Sequence, residues 1–382
     1  MNESRDVLDR LAPLFPPPER AFDGFQRRRE QKRRNRRVGS AIVALVVIGA
    51  TAVALGEAFA SKHPRVPATH PPPGSNGRIA FVSPGNCPLG NRLYTVAPDG
   101  TDLQPLIGET EVEYPDWSPD GSTIAFDDGS VICVPDWSTS IGHIFTVRAD
   151  GSGLKQVTSG IGAELTPDWS PDGTHLAVTA EGEDGLPAGI FVVDVATGTM
   201  RPVTANPYPG YLDKEPDYSP EGTQITFVRD RRLVYVGAST NQSALFVANV
   251  DGSGLRRLTP WGMGLTGTPS WSPDGSRIVF RSGSVVPPPG ARLAQIYVVG
   301  ADGTGLRQLT FDGNAASYWP SWSPDGTRIV FTRYVFNPDS PDGKPDQPAR
   351  LYTMRPDGSG VAPFGPTSLP EETNEAAWGT HP

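Results

Sequence analysis

The chain is poor in the residues from which most catalytic and metal sites are built. Its 382 residues include only two cysteines and five histidines. No pair of histidines has the H-E-x-x-H spacing of a helical zinc site, and no G-x-S-x-G segment offers the nucleophile turn of an α/β-hydrolase. The acidic turns match neither an EF-hand nor a calcium-binding β-helix repeat, so they read as hairpin turns. No metal and no cofactor are expected. Positive charge is also scarce beyond residue 60, where 22 Lys and Arg face 35 Asp and Glu, a net of −13. That balance argues against a nucleic-acid partner and against close contact with anionic lipid.

Long apolar runs are missing too, with one exception. Residues 38–56 hold nineteen residues without a charge, about 28 Å of helix at 1.5 Å per residue, enough to cross a bilayer core. Eight of the eleven residues at 27–37 are basic, which orients such a span with its N-terminus in the cytoplasm. Ala58-Phe59-Ala60 resembles a signal-peptide cleavage site, but the leader before the apolar run is long for a signal peptide. The expected organisation is a cytoplasmic basic tail at 1–37, a single transmembrane anchor at 38–60 and a proline-rich stalk at 61–76. A β-rich body follows at 77–382. Either reading of the apolar run exports that body. Cys87 and Cys133 then lie in a compartment that permits a disulfide, and whether they pair is left open.

What the chain has in abundance is turn residues, with 43 Gly and 41 Pro. They are organised by one phrase. Trp117-Ser118-Pro119-Asp120-Gly121 returns at Trp169, as Tyr218-Ser219-Pro220-Glu221-Gly222, at Trp271 and at Trp322. The spacings are 52, 49, 53 and 51 residues, a period that marks propellers and solenoids. Ser, Pro, Asp and Gly each suit their place in a tight turn. An apolar-alternating run such as Ile124-Ala125-Phe126 follows each turn, so anchor, turn and run spell a hairpin. A second hairpin follows in each unit, for example Ile144-Phe145-Thr146-Val147 before Asp150-Gly151. Two hairpins make one four-stranded blade.

The ends of the chain complete the pattern. Ile79-Ala80-Phe81 lacks an aromatic anchor before it, and Trp378 lacks a run after it. The last strand should therefore complete the first blade, closing a six-bladed, all-β propeller without exposed edges.

The repeated Pro-x-Trp-Ser-Pro-Asp-Gly with Ile-Ala/Val-Phe, and the later Asp-Gly-Ser-Gly-Leu with Leu258-Thr259 or Leu309-Thr310, resembles the WD40-like repeats of TolB-type β-propellers over about residues 77–382. The resemblance implies the propeller fold. It says little about function, because propellers host unrelated activities. TolB itself belongs to the Tol–Pal envelope system and carries an α/β domain where this chain has a stalk and an anchor.

Candidate binding residues come from aligning the six lead-ins to the innermost strands. Three places before each anchor stand Tyr114, Thr166, Glu215, Thr268, Trp319 and Glu375. Glu113, Glu164 and Asp213 lie close by, and Trp261 and Tyr318 add aromatic surface on the other side. An acidic arc facing an aromatic arc at the channel mouth suits a cationic ligand. The expected function is a membrane-tethered binding or scaffold module for a protein or cell-wall ligand, docked on the face with the long connections. The alternatives are a hydrolase or lactonase acting at the channel mouth, and a regulatory propeller of a peptidase-type system. No catalytic residue is assigned.

Overall fold

Each Ser-Pro-Asp-Gly phrase closes by its own side chains. Ser118 Oγ donates to Asp120 Oδ1 at 2.6 Å and accepts the Thr123 N–H at 3.0 Å, while the Gly121 N–H donates to Ser118 O at 2.8 Å. Gly121 has φ +67°, a conformation open to glycine and costly for most other residues. Ser170, Ser272 and Ser323 repeat the contact with Asp172, Asp274 and Asp325. The turn that the sequence predicts is therefore built mainly from its own residues, with Asn76 and Thr380 adding contacts to those at Asp325 and Pro119.

The computed structural model describes residues 76–83, 91–107, 112–129, 142–159, 162–180, 188–204, 211–231, 242–265, 267–283, 293–336, 348–365, 369–370 and 372–380. The apolar run, the stalk, Cys87 and Cys133 lie outside them. Among the described residues no helix is long and apolar enough to cross a membrane.

Six four-stranded antiparallel sheets follow one another. Blade 1 contains β1 (Asn76–Ser83), β2 (Arg92–Val96) and β3 (Gln104–Ile107). Blade 2 is β4 (Glu113–Trp117), β5 (Thr123–Asp127), β6 (Ile144–Arg148) and β7 (Lys155–Gln156). Blade 3 is β8 (Glu164–Trp169), β9 (His175–Ala180), β10 (Gly189–Asp194) and β11 (Met200–Pro202). Blade 4 is β12 (Tyr211–Tyr218), β13 (Gln224–Arg231), β14 (Gln242–Asn249) and β15 (Arg256–Arg257). Blade 5 is β16 (Ser270–Trp271), β17 (Arg277–Ser282), β18 (Gln295–Gly300) and β19 (Arg307–Gln308). Blade 6 is β20 (Ala315–Trp322), β21 (Ile329–Val335), β22 (Arg350–Met354) and β23 (Ala362–Pro363). The last strand, β24 (Asn374–Thr380), returns to pair with β1, placing Ile79 opposite Trp378 and Ala80 opposite Ala377. Closure is as the sequence predicts.

The core lies between blades. Trp169 fills the space between Ala125 and Ile144 of blade 2 and Leu176 and Val178 of its own blade. Trp271 does the same against Leu245 and Val247. Within blades, Phe126 stacks on Phe145 at 5.8 Å and Phe280 on Tyr297 at 5.9 Å, each a directly opposed cross-strand pair. Such pairs fix register because a one-residue slip sends both rings to the wrong face. A threonine ends the unit in four blades: the Thr158, Thr204, Thr259 and Thr310 hydroxyls each accept an N–H of the third strand at 2.9–3.0 Å.

One blade is built differently from the sequence reading. Residues 229–243 look like a long connection in blade 4, yet β13 and β14 pair out to Arg231 and Gln242. Arg229 explains the extension: it is ion-paired with Asp213 and lies over the rings of Phe227 and Phe246, so polar residues continue the ladder.

The closing strand is tight against blade 2. A Cβ on Gly379 would sit 2.7 Å from Trp117 Cγ. Gly379→Ala is expected to destabilise by about 1–3 kcal/mol through overpacking, read as a lower melting temperature. An unchanged melt would mean that Trp117 does not rest on the last strand.

Candidate functional site

The inner strands of blades 2 to 6 carry an X-Pro pair just before the aromatic anchor, and the residue three places before the anchor is strained in five of the six blades. Tyr114, Thr166, Glu215, Trp319 and Glu375 have φ between +47° and +56°, although Glu375 precedes Ala376 rather than proline. The sheet register slips at the same places, between Glu113 and Asp116, Leu165 and Asp168, Lys214 and Asp217, and Tyr318 and Ser321. These are β-bulges, and a non-glycine residue held there costs on the order of 1–3 kcal/mol. Side chains of the neighbouring blade hold three of them. Glu375 Oε2 accepts the Tyr114 N–H at 2.7 Å, Asp127 Oδ2 accepts the Thr166 N–H at 2.7 Å, and Thr179 Oγ1 accepts the Glu215 N–H at 2.8 Å.

Within this ring lies a cavity of about 80 Å³ to which all six blades contribute. Its inner wall is Asp116, Asp168, Asp217, Ser270, Ser321 and Ala377. Five of these six residues tie one blade to the next. Asp116, Asp168 and Asp217 accept the N–H of Trp169, Tyr218 and Trp271 at 2.6–2.8 Å. Ser270 and Ser321 accept those of Trp322 and Trp378 at 3.4 and 3.2 Å. Three adjacent buried carboxyls cannot all ionise freely. Burial pushes Asp116 up to about 7 and Asp217 up to about 8. Burial, reinforced by the charges of Asp217 and Asp116, pushes Asp168 well above the carboxylate range.

The residues expected at the mouth divide into two groups. Tyr114, Trp319 and Glu375 line the cavity, and Glu215 stands at the same repeat position on blade 4. Glu113 lies beside them, close enough that its charge raises both Glu375 and Tyr114, after the larger effect of burial. The others are engaged in holding the fold. Glu164 pairs with His143 at 2.9 Å, and Asp213 is fully buried in a bidentate pair with Arg229 at 2.6 and 2.7 Å. Tyr318 is buried and packs on Tyr334 at 5.2 Å. Trp261 leaves the channel altogether, packing on Phe246 and Tyr211 at the flank of blade 4.

Two residues of the mouth escaped the sequence reading. Asp127, at the end of β5, accepts from both the Gly129 and Thr166 N–H groups, and burial pushes its carboxyl well up. Arg281, at the equivalent position of blade 5, is buried over the Tyr318 ring at 4.6 Å and is drawn towards Glu215. Aligning the second strands would have found both, because Val82, Thr179, Val228 and Thr332 occupy that position elsewhere. The mouth is thus acidic at blades 1 and 2, with a compensated Lys214–Glu215–Arg281 cluster at blades 4 and 5. Among the described residues no group of three His, Cys, Asp or Glu is arranged to hold a metal ion.

Comparison with known proteins agrees with this architecture. The family described as the TolB β-propeller domain matches residues 74–233 and 231–337. An uncharacterized protein of Agrobacterium fabrum is 28% identical over 251 residues, covering 65% of this chain and 74% of that protein. A TolB homologue of Chlorobium luteolum is 31% identical over 163 residues, covering 34% of this chain and only 36% of the homologue. The crystal structure of TolB from Acinetobacter baumannii has a TM-score of 0.54 at 20% identity, covering 79% of this chain and 66% of that one. A putative TolB from Agrobacterium tumefaciens gives 0.54 at 22% identity, covering 80% and 99%. Repeat phrase, six-bladed closure and family match together place this chain in the TolB-type β-propeller family.

Proposed function

We propose that this protein is a binding module, tethered to a membrane outside the cytoplasm, that recognises a protein or cell-envelope ligand at the channel mouth. One observation carries the reading. The mouth presents Trp319, Tyr114 and Glu375 on strained bulges, while the opposite ends of the blades are tight turns whose polar groups are largely satisfied locally. Strain that is kept at one repeat position in five blades is the kind found at ligand sites. The basic block before the apolar run supports the topology, and the acidic body supports a partner of opposite charge.

Affinity capture from envelope fractions tests the reading, using the full-length chain in detergent. Trp319→Ala is expected to reduce capture by about tenfold, the loss of one aromatic anchor at an interface. Leu306→Ala, on an exposed turn at the opposite face, should capture as the natural chain does. Equal capture by both variants would remove the mouth from the function. For topology, protease added to spheroplasts should degrade the propeller and spare the N-terminal tail, and a protected propeller would overturn the external location.

A further inference from the structure

Repeated side-chain straps tie each blade to the next, and one junction departs from the pattern. The inner strap runs from Asp116, Asp168, Asp217, Ser270 or Ser321 to the next anchor N–H. The outer strap runs from Lys155, Arg201, Arg256 or Arg307 to a carbonyl of the next blade's outer turn at 2.5–3.1 Å. A third, from Asp127 or Thr179 on a second strand, holds the strained N–H of Thr166 or Glu215. Blade 1 carries Ala377, Gln104 and Val82 at these three places. Alanine and valine side chains have no acceptor, and Gln104 donates to Asp102 of its own turn at 2.6 Å. The junction between blades 1 and 2 is closed by other means. On the tight-turn side Thr380 Oγ1 donates to Pro119 O at 2.7 Å, and Trp117 rests on Gly379. On the mouth side Glu375 Oε2 accepts the Tyr114 N–H at 2.7 Å, and Asn91 adds a longer contact to Val112 O at 3.3 Å. Glu375 does this among other carboxyls. Glu113 precedes Tyr114 and stands opposite Asp127 in the β4–β5 ladder. Asp127 Oδ1 accepts the Gly129 N–H, and a Cβ on that glycine would sit 3.3 Å from Glu113 Cδ.

We infer that the junction between blades 1 and 2 is a proton-operated latch: protonated Glu375 closes it on the Tyr114 N–H, and ionisation of Glu375 beside Glu113 and Asp127 opens its mouth side. The latch is a property of the ring and stands whether or not the mouth takes a partner. Opening releases Tyr114 from its φ of +50°, a conformation that costs free energy for a tyrosine. Tyr114 and Glu375 both line the cavity, so the mouth changes shape when they part.

The surroundings of Glu375 set the direction. It faces Glu113 and Tyr114 on β4, Asp127 on β5, Tyr334 on β21 and Glu372 ahead of its own strand. Tyr114 in turn faces Glu215 and Arg281. Burial, then the charges of Glu113 and Asp127, raise the Glu375 carboxyl well above the ordinary range, with the Tyr114 N–H opposing. Burial raises Asp127 as well, and the charges of Glu113 and Asp128 add to it. A carboxyl raised in the closed junction holds its proton better there than in an open one. Closure is therefore complete below the ordinary glutamate value of about 4.3 and is lost as pH rises through the raised value.

The test follows amide hydrogen exchange, resolved to single residues, in the full-length chain in detergent at pH 5.5 and pH 8. The Tyr114 N–H is compared with the Glu215 N–H, which holds the same place two blades on and is bound by the uncharged Thr179 hydroxyl. Intrinsic exchange accelerates alike at both amides, and global unfolding exposes both, so their ratio reads the latch. The ratio should shift by at least about tenfold towards faster exchange at Tyr114 between pH 5.5 and pH 8, because each unit by which the carboxyl is raised is a factor of ten in closure. Glu375→Gln keeps an oxygen for the Tyr114 N–H and removes the charge, so its ratio should no longer depend on pH. Glu113→Gln leaves the acceptor in place and should shrink the shift, which keeps the test open if the first variant fails to fold. The comparison on the natural chain needs no variant at all. A ratio that is the same at both pH values overturns the latch. A shift as large in either variant as in the natural chain overturns it too.

Discussion

Ending the chain at Glu372 should abolish cooperative folding of the propeller. The deletion removes β24 whole, and with it the inner strand of blade 1. Trp378 is buried against Ile79, Phe81 and Val96 of blade 1 and Val330 and Leu351 of blade 6, so both sides of the closure lose their wedge. Truncating one buried tryptophan alone costs about 3–5 kcal/mol. The deletion also frees the ladder groups of β1 and leaves Tyr114 without the Glu375 acceptor. A domain has only about 5–15 kcal/mol in total, so the expected result is a melting temperature lower by ten degrees or more, or no cooperative melt. The same melting temperature in the truncated chain would mean that the ring does not close through its C-terminus.

The parts of the fold that were legible in the sequence are those set by local chemistry. Ser118, Pro119, Asp120 and Gly121 form their turn from within, and Trp378 without a following run pointed to closure because a propeller leaves no strand unpaired. That Tyr114, Trp319 and Glu375 share the wall of one cavity was legible for a similar reason, since they hold one fixed place in the repeat. What the sequence does not reveal is which charges are already committed. Asp213 meets Arg229 because β12 and β13 pair beyond the expected hairpin, and Glu164 meets His143 across a blade boundary. Trp261 packs on a flank because Phe246 and Tyr211 offer it two rings there. These depend on tertiary register, to which residue type alone is blind.

Stability should fall as the solution is made alkaline. Asp116 and Asp217 are raised by burial to about 7 and about 8, and Asp168 is raised further in the same direction. A carboxyl whose folded value is raised holds its proton better in the native chain than in the unfolded one. Its contribution is therefore complete below the unfolded value of about 4 and is lost as pH rises through about 7–8. The melting temperature should drop by at least about 5 °C between pH 5 and pH 8.5, given about 2–4 °C for each kcal/mol in a domain of this size. Asp168→Asn should flatten the profile, because the amide oxygen still accepts the Tyr218 N–H while no charge develops beside Asp116 and Asp217. Its melting temperature at pH 8.5 should exceed that of the natural chain. A flat profile in the natural chain, or one that rises with pH, would contradict the burial of three carboxyls around one cavity.

The central claim is that the channel mouth, and not the ring of tight turns opposite, is where this propeller meets its partner. Site-specific photocrosslinking in intact envelopes tests it most directly. A photoreactive residue at Thr268, on the mouth side of blade 5, is compared with one at Asp302, in the exposed outer turn of the same blade. The account predicts a discrete adduct from position 268 and none from 302. An adduct from 302 alone would place the binding surface on the wrong face of the ring.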